Sequence, residues 1–179
     1  LDKPILDSLG VDKNKPEKQL RNQTGSPILE EGDILLKTTL TETNDWQQFD
    51  LPVVSTLRHF CIETLSSYTG DNQACISEVD LLDDKGQAVD KTKWEVVYVS
   101  SEQADKNLGV AENLFDGDIS SFWHTDPATE SGQPHRIIID LKEIYKISAL
   151  RFKVRKGSFL SGKVKEINVY GRPQFFLFH

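Results

Sequence analysis

The chain has 179 residues, enough for one substantial hydrophobic core, and one domain is a simpler interpretation than two small ones. It carries 28 acidic and 21 basic residues, a formal net charge of -7, with no Lys/Arg block longer than a few residues. This excludes a general nucleic-acid binder, because neutralising phosphates needs a concentrated basic face, and it favours a neutral or weakly charged partner. No run approaches the ~18 apolar residues of a membrane span, so membrane insertion is not expected.

The first 27 residues are polar, charged and interrupted by prolines, which predicts a lead-in or linker rather than core. Their start, LDKPILDSLG, lacks the basic beginning and apolar centre of a signal peptide. The sequence contains no Met, so we expect a fragment or processed form of a longer protein, and a single domain over residues 28–179.

From Asp33 onward, short β-favouring runs alternate with turn residues: DILLKTTL, LRHFCIETL, ACISEVDLL, WEVVYVS, HRIIIDL, ISALRFKV and VKEINVYG. Leu150, Phe152 and Val154 alternate with charged residues, the period-2 pattern of a strand with one face in a core. The run from Trp94 repeats the pattern at Val96 and Tyr98. Helical periodicity is weak, with room for a turn or two within SEQADKNLGVAENLF. The sequence therefore predicts an all-β sandwich or jelly roll.

The two cysteines, Cys61 and Cys75, lie in strand-like runs on either side of the turn-rich segment SSYTGDN. They would bridge if the runs form a hairpin that places them opposite each other. The alternative is two small buried thiols, and the sequence leaves both open.

Residues 94–171 contain WEVVYVSSEQ, AENLFDGDISSFWHT, PHRIIIDLKEIYKISALRF and GKVKEINVYG in that order. This series resembles the coagulation factor five/eight type C domain, the discoidin or galactose-binding-like fold whose bacterial members include carbohydrate-binding module family 32. The resemblance implies a galactose-binding-like jelly-roll β-sandwich. It covers only the first half of the family's order, because the chain stops soon after VKEINVYG.

What normally follows in the family is a Trp, an Arg-bearing strand and a closing strand containing Glu. The upstream segment, with Trp46 and then LRHFCIETLSSYTGDNQACISEVDLL, is similar to that second half. We therefore expect a circularly permuted sandwich in which residues 28–90 supply the strands usually found at the C-terminus, a change that close termini permit. The alternative is a truncated domain preceded by a separate β unit.

An Asp-Gly-Asp turn places three oxygen-bearing side chains at short intervals: Asp116, Asp118 and Ser121. Calcium takes six to eight oxygen ligands, many from a loop wound around the ion. The resemblance implies a structural calcium here, completed by a glutamate of the closing strand, Glu78, with Glu166 as second choice. The alternative is a solvated turn whose carboxylates cap nearby amides. Phe122 and Trp123, just after the turn, are expected in the core.

Similar domains bind sugars through loops at one end of the sandwich, with an aromatic stacking plate and His, Arg or Asn donors. On this resemblance the candidate ligand residues are His124, Arg155, Phe159, Trp46 and Tyr68. Each has a structural alternative: His124 would bond a loop carbonyl, and Arg155 would lie on the solvated face of its strand. The implied partner is a galactose- or N-acetylhexosamine-type glycan.

No G-x-S-x-G elbow, P-loop, dinucleotide fingerprint or H-E-x-x-H occurs, so no catalytic residue is assigned. The resemblance implies a monomeric, non-catalytic module that keeps a parent glycoside hydrolase near its glycan, secreted, periplasmic or at a bacterial cell surface; the chain is also similar to the C-terminal regions of bacterial chitobiases. The same fold serves protein interaction, adhesion or spacing, and these functions stay open, as does binding to anionic membrane surfaces through loop tips.

Overall fold

The computed structural model of the chain describes residues 25–128, 132–155 and 161–179. Within those ranges the secondary structure is eight strands: β1 (Ile34–Thr39), β2 (Gln47–Thr64), β3 (Cys75–Ile76), β4 (Glu78–Asp83), β5 (Glu95–Val99), β6 (Trp123–His124), β7 (His135–Lys153) and β8 (Glu166–Arg172). Short 3-10 turns occur at Glu31–Asp33, Asp105–Asn107 and Ala111–Phe115. All strand pairs are antiparallel, and the predicted all-β fold is confirmed.

The two longest strands, β2 and β7, pair with each other and divide the sheet into two layers. Their register breaks where Leu57 faces Tyr145 but His59 already faces Asp140. Past this break, the second half of β2 and the first half of β7 lie between β8 and β5, and β1 pairs with β8. The other halves of β2 and β7 pair together, and β4 pairs with β7. The layers are therefore β1-β8-β2-β7-β5 and β2-β7-β4.

One hydrophobic cluster joins these layers, so they pack as a β-sandwich. Phe60 and Ile137 come from the first layer, Leu150 and Phe152 from the second, and Trp123 from β6; all five are fully buried. Burying a large apolar side chain contributes about 1.5–3 kcal/mol relative to leaving it in water, so this shared core holds the layers together. The predicted inward face of Leu150, Phe152 and Val154 is confirmed.

Both halves of the chain contribute to the same pairing network. β2 and β4, from before residue 90, pair with β7, and β1 and β2 pair with β8. At the ends of the described chain, the Ile28 N–H donates to the Leu177 carbonyl at 2.7 Å. Phe176 packs with Tyr98 and Tyr170 in a second cluster, separate from the main core. Phe176 and Phe178 of the closing segment QFFLFH therefore pack against β5 and β8, whereas Phe175 and Leu177 are exposed.

A bulge in β5 moves one predicted core residue to another cluster. Val96 faces Ile139 and Tyr98 faces Ile138, so two positions on β5 correspond to one on β7. A bulge of this kind reverses the alternation of side chains. Trp94 and Val96 lie in the main core, but Tyr98 lies in the second cluster, so the expectation that all three share a face is wrong at Tyr98.

Both cysteines are buried free thiols, the second of the two alternatives. Cys61 belongs to the second cluster, and Cys75 pairs with His124 between β3 and β6. Burial raises the pKa of both thiols above the usual value, that of Cys75 to about 12.

Candidate functional site

A shallow, open groove lies at the end of the sandwich where β1 and β7 end and β8 begins. Three inter-strand segments form it, and its lining residues are Thr41, Glu42, Thr43, Asn44, Tyr68, Val154, Arg155, Lys163 and Val164. Two of the five candidate ligand residues, Tyr68 and Arg155, line this groove together.

Tyr68 presents a fixed, half-exposed ring. Its hydroxyl donates a hydrogen bond of 2.7 Å to the Leu40 carbonyl, and the residue is 38% exposed to solvent. The Lys165 ammonium lies 5.5 Å from the ring centroid. Because the hydroxyl is anchored in the protein, the ring has the rigidity that a stacking surface for a sugar requires.

Arg155 lies against an aromatic ring beside the groove. Its guanidinium carbon is 4.0 Å from the centroid of Phe122, which is half-buried rather than fully in the core. Arg155 also hydrogen-bonds the thiol of Cys75 and so opposes the rise in that thiol's pKa that burial causes. Stacking uses the face of a guanidinium and leaves its N–H donors directed outward in the plane, where they can meet a ligand.

His124 is buried, with 3% of its surface exposed, and it does not line the groove. Its Nδ1 lies 2.5 Å from the Thr125 carbonyl and its Nε2 lies 3.0 Å from Ser161 Oγ. Both ring nitrogens therefore have partners within the protein. This geometry corresponds to the structural alternative for His124, a histidine that bonds a loop carbonyl.

Trp46 lies next to the groove rather than in it. The Arg151 guanidinium is 5.1 Å and the Lys153 ammonium 6.0 Å from its ring, both in cation–π range. Lys153 also donates to the Asn44 carbonyl, which links the Trp46 segment to the groove wall. The remaining candidate, Phe159, lies outside the described residues.

The Asp-Gly-Asp turn brings several oxygens together. Ser121 Oγ lies 2.5 Å from Asp116 Oδ2 and 2.9 Å from the Asp118 carbonyl oxygen. The Gly117 N–H donates to Glu78 Oε2 at 3.0 Å. Glu166 instead accepts a hydrogen bond from Ser66, so Glu78 is the glutamate at this turn.

The oxygens at this turn are of the chemical type that calcium binds. Glu78 is 1% exposed, and its Oε1 has no hydrogen-bond partner among the described residues. A carboxylate from Asp116, a carbonyl from Asp118, a hydroxyl from Ser121 and the orphaned Glu78 oxygen are the hard ligands that calcium takes. The described residues contain no group of three His, Cys, Asp or Glu side chains that could hold a metal, so such a site depends on the carbonyl and hydroxyl oxygens.

Lys91 also binds Glu78, and the sequence did not single it out. Its ammonium lies 2.5 Å from Glu78 Oε2 and 2.6 Å from Asp80 Oδ1. Burial raises the pKa of Glu78 to about 7, and the charge and hydrogen bond of Lys91 oppose that rise. The buried Glu78 carboxylate at the Asp-Gly-Asp turn thus has a cation supplied by the protein on one of its two oxygens.

Comparisons with known proteins relate the second half of the chain to one family. Residues 96–174 match the model of the F5/8 type C domain. A sialidase from Micromonospora viridifaciens is 34% identical over 84 residues, which is 46% of this chain and 13% of the sialidase. The chain therefore spans a small part of that relative's length.

The matched range contains only some of the candidate residues. Arg155 and the Asp-Gly-Asp turn lie within residues 96–174, whereas Tyr68 and Glu78 lie upstream of it. The fold nevertheless places residues from both regions at the groove and at the turn. Among the described residues no helix is long and apolar enough to cross a membrane.

Proposed function

We propose that this chain is a non-catalytic carbohydrate-binding module of a secreted or cell-surface glycoside hydrolase. The observation that carries the proposal is that Tyr68 and Arg155, distant in sequence, line one groove at a loop end of the sandwich. The F5/8 type C match and the similarity to a bacterial sialidase support a module on an enzyme that acts on glycans.

The groove contains the chemical groups that a sugar needs. A pyranose has an apolar C–H face, which suits the fixed ring of Tyr68, and hydroxyls at its rim, which suit Arg155 and the amide of Asn44. Binding there would hold a tethered enzyme near its substrate and raise the effective substrate concentration without chemistry. A galactose- or N-acetylhexosamine-type residue is the first ligand to test.

We also propose that the strands of this domain follow a circular permutation of the family's strand order. In support, the strands before residue 90 pair with β7 and β8 of the matched range, and the segments near residues 28 and 177 are hydrogen-bonded to each other. Adjacent segments of this kind are where a fold tolerates a new chain break.

We also propose a structural calcium at Asp116, Asp118, Ser121 and Glu78. Its role would be to neutralise the buried Glu78 carboxylate and fix the turn that precedes β6, not to touch the sugar. The orphaned Glu78 oxygen supports this assignment.

Binding to galactose- and N-acetylhexosamine-containing glycans on an array, followed by calorimetry, tests the proposed function. We expect the Arg155→Ala and Tyr68→Ala variants to lose binding. Lys146→Ala and Tyr145→Ala are matched controls, because these residues lie on β7 away from the groove lining. Tyr68→Phe removes only the hydroxyl anchor and separates loss of the ring from loss of local order.

Binding that the control variants weaken as much as the groove variants would refute the groove assignment. Silence across neutral and acidic glycans alike would refute the carbohydrate function. A protein-interaction or spacer function would then account for the domain.

A further inference from the structure

The groove differs in charge from the rest of the protein. The whole chain has a formal net charge of -7, but the charged side chains that line the groove are Glu42, Arg155 and Lys163, which sum to a positive charge. Lys165 adds a further cation beside Tyr68. The acidic average of the sequence, which favours a neutral partner, therefore does not describe this site.

These cations have few carboxylates as partners. Lys163 lies 4.0 Å from Glu42, at the limit of an ion pair. Among the described residues, the close contacts of Arg155 are the Phe122 ring and the Cys75 thiol, and that of Lys165 is the Tyr68 ring. Aromatic partners orient a cation but leave its charge uncompensated.

Arg155 and Lys163 both line the groove. Arg155 follows the end of β7 and Lys163 precedes the start of β8, and the neighbouring Val154 and Val164 also belong to the lining. A guanidinium offers a planar pair of donors that matches a carboxylate, and an ammonium offers a point charge. Tyr68 supplies a surface for the apolar face of the same ligand.

We propose that this groove selects a glycan residue that carries a carboxylate, with Arg155 and Lys163 binding the acid and Tyr68 stacking on the ring. The proposal rests on the proposed carbohydrate-binding function and specifies its ligand class. Glu42 limits the affinity, because its carboxylate competes for Lys163 and repels the ligand's acid.

The test compares galacturonic acid oligomers with the same oligomers as methyl esters, and sialyllactose with its own carboxyl methyl ester. Each pair differs in its charge while keeping most of the sugar surface. We expect the acid to bind at least about tenfold more tightly, as one additional charge-assisted hydrogen-bonded contact would give. Raising the salt concentration should reduce that preference.

Three variants localise the effect. Lys163→Met should remove most of the preference for the acid while keeping binding of the neutral ester. Glu42→Gln should strengthen binding of the acid and leave the ester unchanged, a gain that a general loss of folding cannot produce. Lys146→Met is the control for an exposed lysine away from the groove.

Equal or tighter binding of the neutral members overturns the inference and leaves the carbohydrate function standing. If neither the acidic nor the neutral sugar of each pair binds, both the carbohydrate function and the inference are overturned. Binding to phosphatidylserine vesicles that depends on Arg155 and Lys163, without binding of any glycan, also overturns both and assigns the basic groove to an anionic membrane surface.

Discussion

Replacement of Lys91 by Met tests how the buried Glu78 carboxylate is stabilised. Lys91 is the cation nearest Glu78, and its ammonium also contacts Asp80, which has a second partner in Arg151 at 2.7 Å. Methionine keeps most of the length and apolar surface of lysine but removes the charge. The variant therefore leaves Glu78 without its cation, while Asp80 keeps one.

The burial of the Lys91–Glu78 pair determines how much stability the variant loses. The Glu78 side chain is 1% exposed and that of Lys91 is 17% exposed. Removing one partner of a buried pair costs about 3–5 kcal/mol; because Lys91 is partly exposed and Glu78, with its raised pKa, can take up a proton, we expect a loss at the lower end, about 3 kcal/mol. For a domain of this size each kcal/mol shifts the Tm by about 2–4 °C, so the Tm should fall by about 6–12 °C.

Thermal melts in chelator, and again in calcium, measure the effect. Lys93→Met is the control, because Lys93 is an exposed neighbour. Calcium should restore more Tm to Lys91→Met than it adds to the original chain, since the ion would supply the missing positive charge. If Lys91→Met and Lys93→Met have the same Tm in chelator, the reasoning is refuted.

Three further predictions concern the scaffold. Burial opposes ionisation of Asp140, but the nearby His59 ring and hydrogen bonds from Arg58 and the Lys142 backbone N–H outweigh it and hold its pKa well below the usual range. Because the folded pKa of Asp140 is depressed, its carboxylate stabilises the fold fully above about pH 4, and this stabilisation is lost as pH falls through the folded pKa. We therefore expect Asp140→Asn to cost about 3 kcal/mol at pH 7 and less in acid, as measured by urea melts. Equal costs at pH 7 and pH 3 would contradict this. Gly162→Ala should destabilise more than Gly86→Ala: both have positive φ, 73° and 76°, but a Cβ at 162 would lie 3.0 Å from backbone atoms whereas 86 is open; equal urea midpoints would count against it. Cys61 and Cys75 should react with a thiol reagent only after unfolding, and fast labelling of the native protein would show that the burial is wrong.

Alternation of apolar residues was enough to predict the fold class but not the strand boundaries. The sequence gives HRIIIDL and ISALRFKV as separate runs, whereas β7 is continuous from His135 to Lys153. The strand bends from one layer to the other where Asp140 and Tyr145 face neighbouring positions on β2, and Lys142 adopts φ 70° there. At such a bend the alternation of apolar and polar residues is interrupted, so the sequence pattern there resembles that of a loop.

The start of β2 was missed for a related reason. β2 begins at Gln47, ten residues before the run LRHFCIETL, and Val53 and Val54 within it are exposed. An edge with outward apolar and polar residues lacks the one-sided pattern on which the prediction depends.

Only part of the site could be inferred from the residues. Arg155 and Tyr68 were identified through the resemblance, and the groove unites them. Lys163 and Asn44 were not identified, because each lies in a polar loop and becomes part of a site only through residues that are distant in sequence. Lys91 is similar, since its contact with Glu78 follows from the path of the segment between β4 and β5.

The most direct test of the central claim is an NMR titration of the isotopically labelled chain with the tightest-binding glycan. The account predicts that backbone shifts concentrate at residues 41–44, Tyr68, Arg155 and Lys163, and that the turn around Gly117 does not move. Shifts that cluster instead on β5 and the 173–179 segment, or no shifts at millimolar ligand, would contradict it.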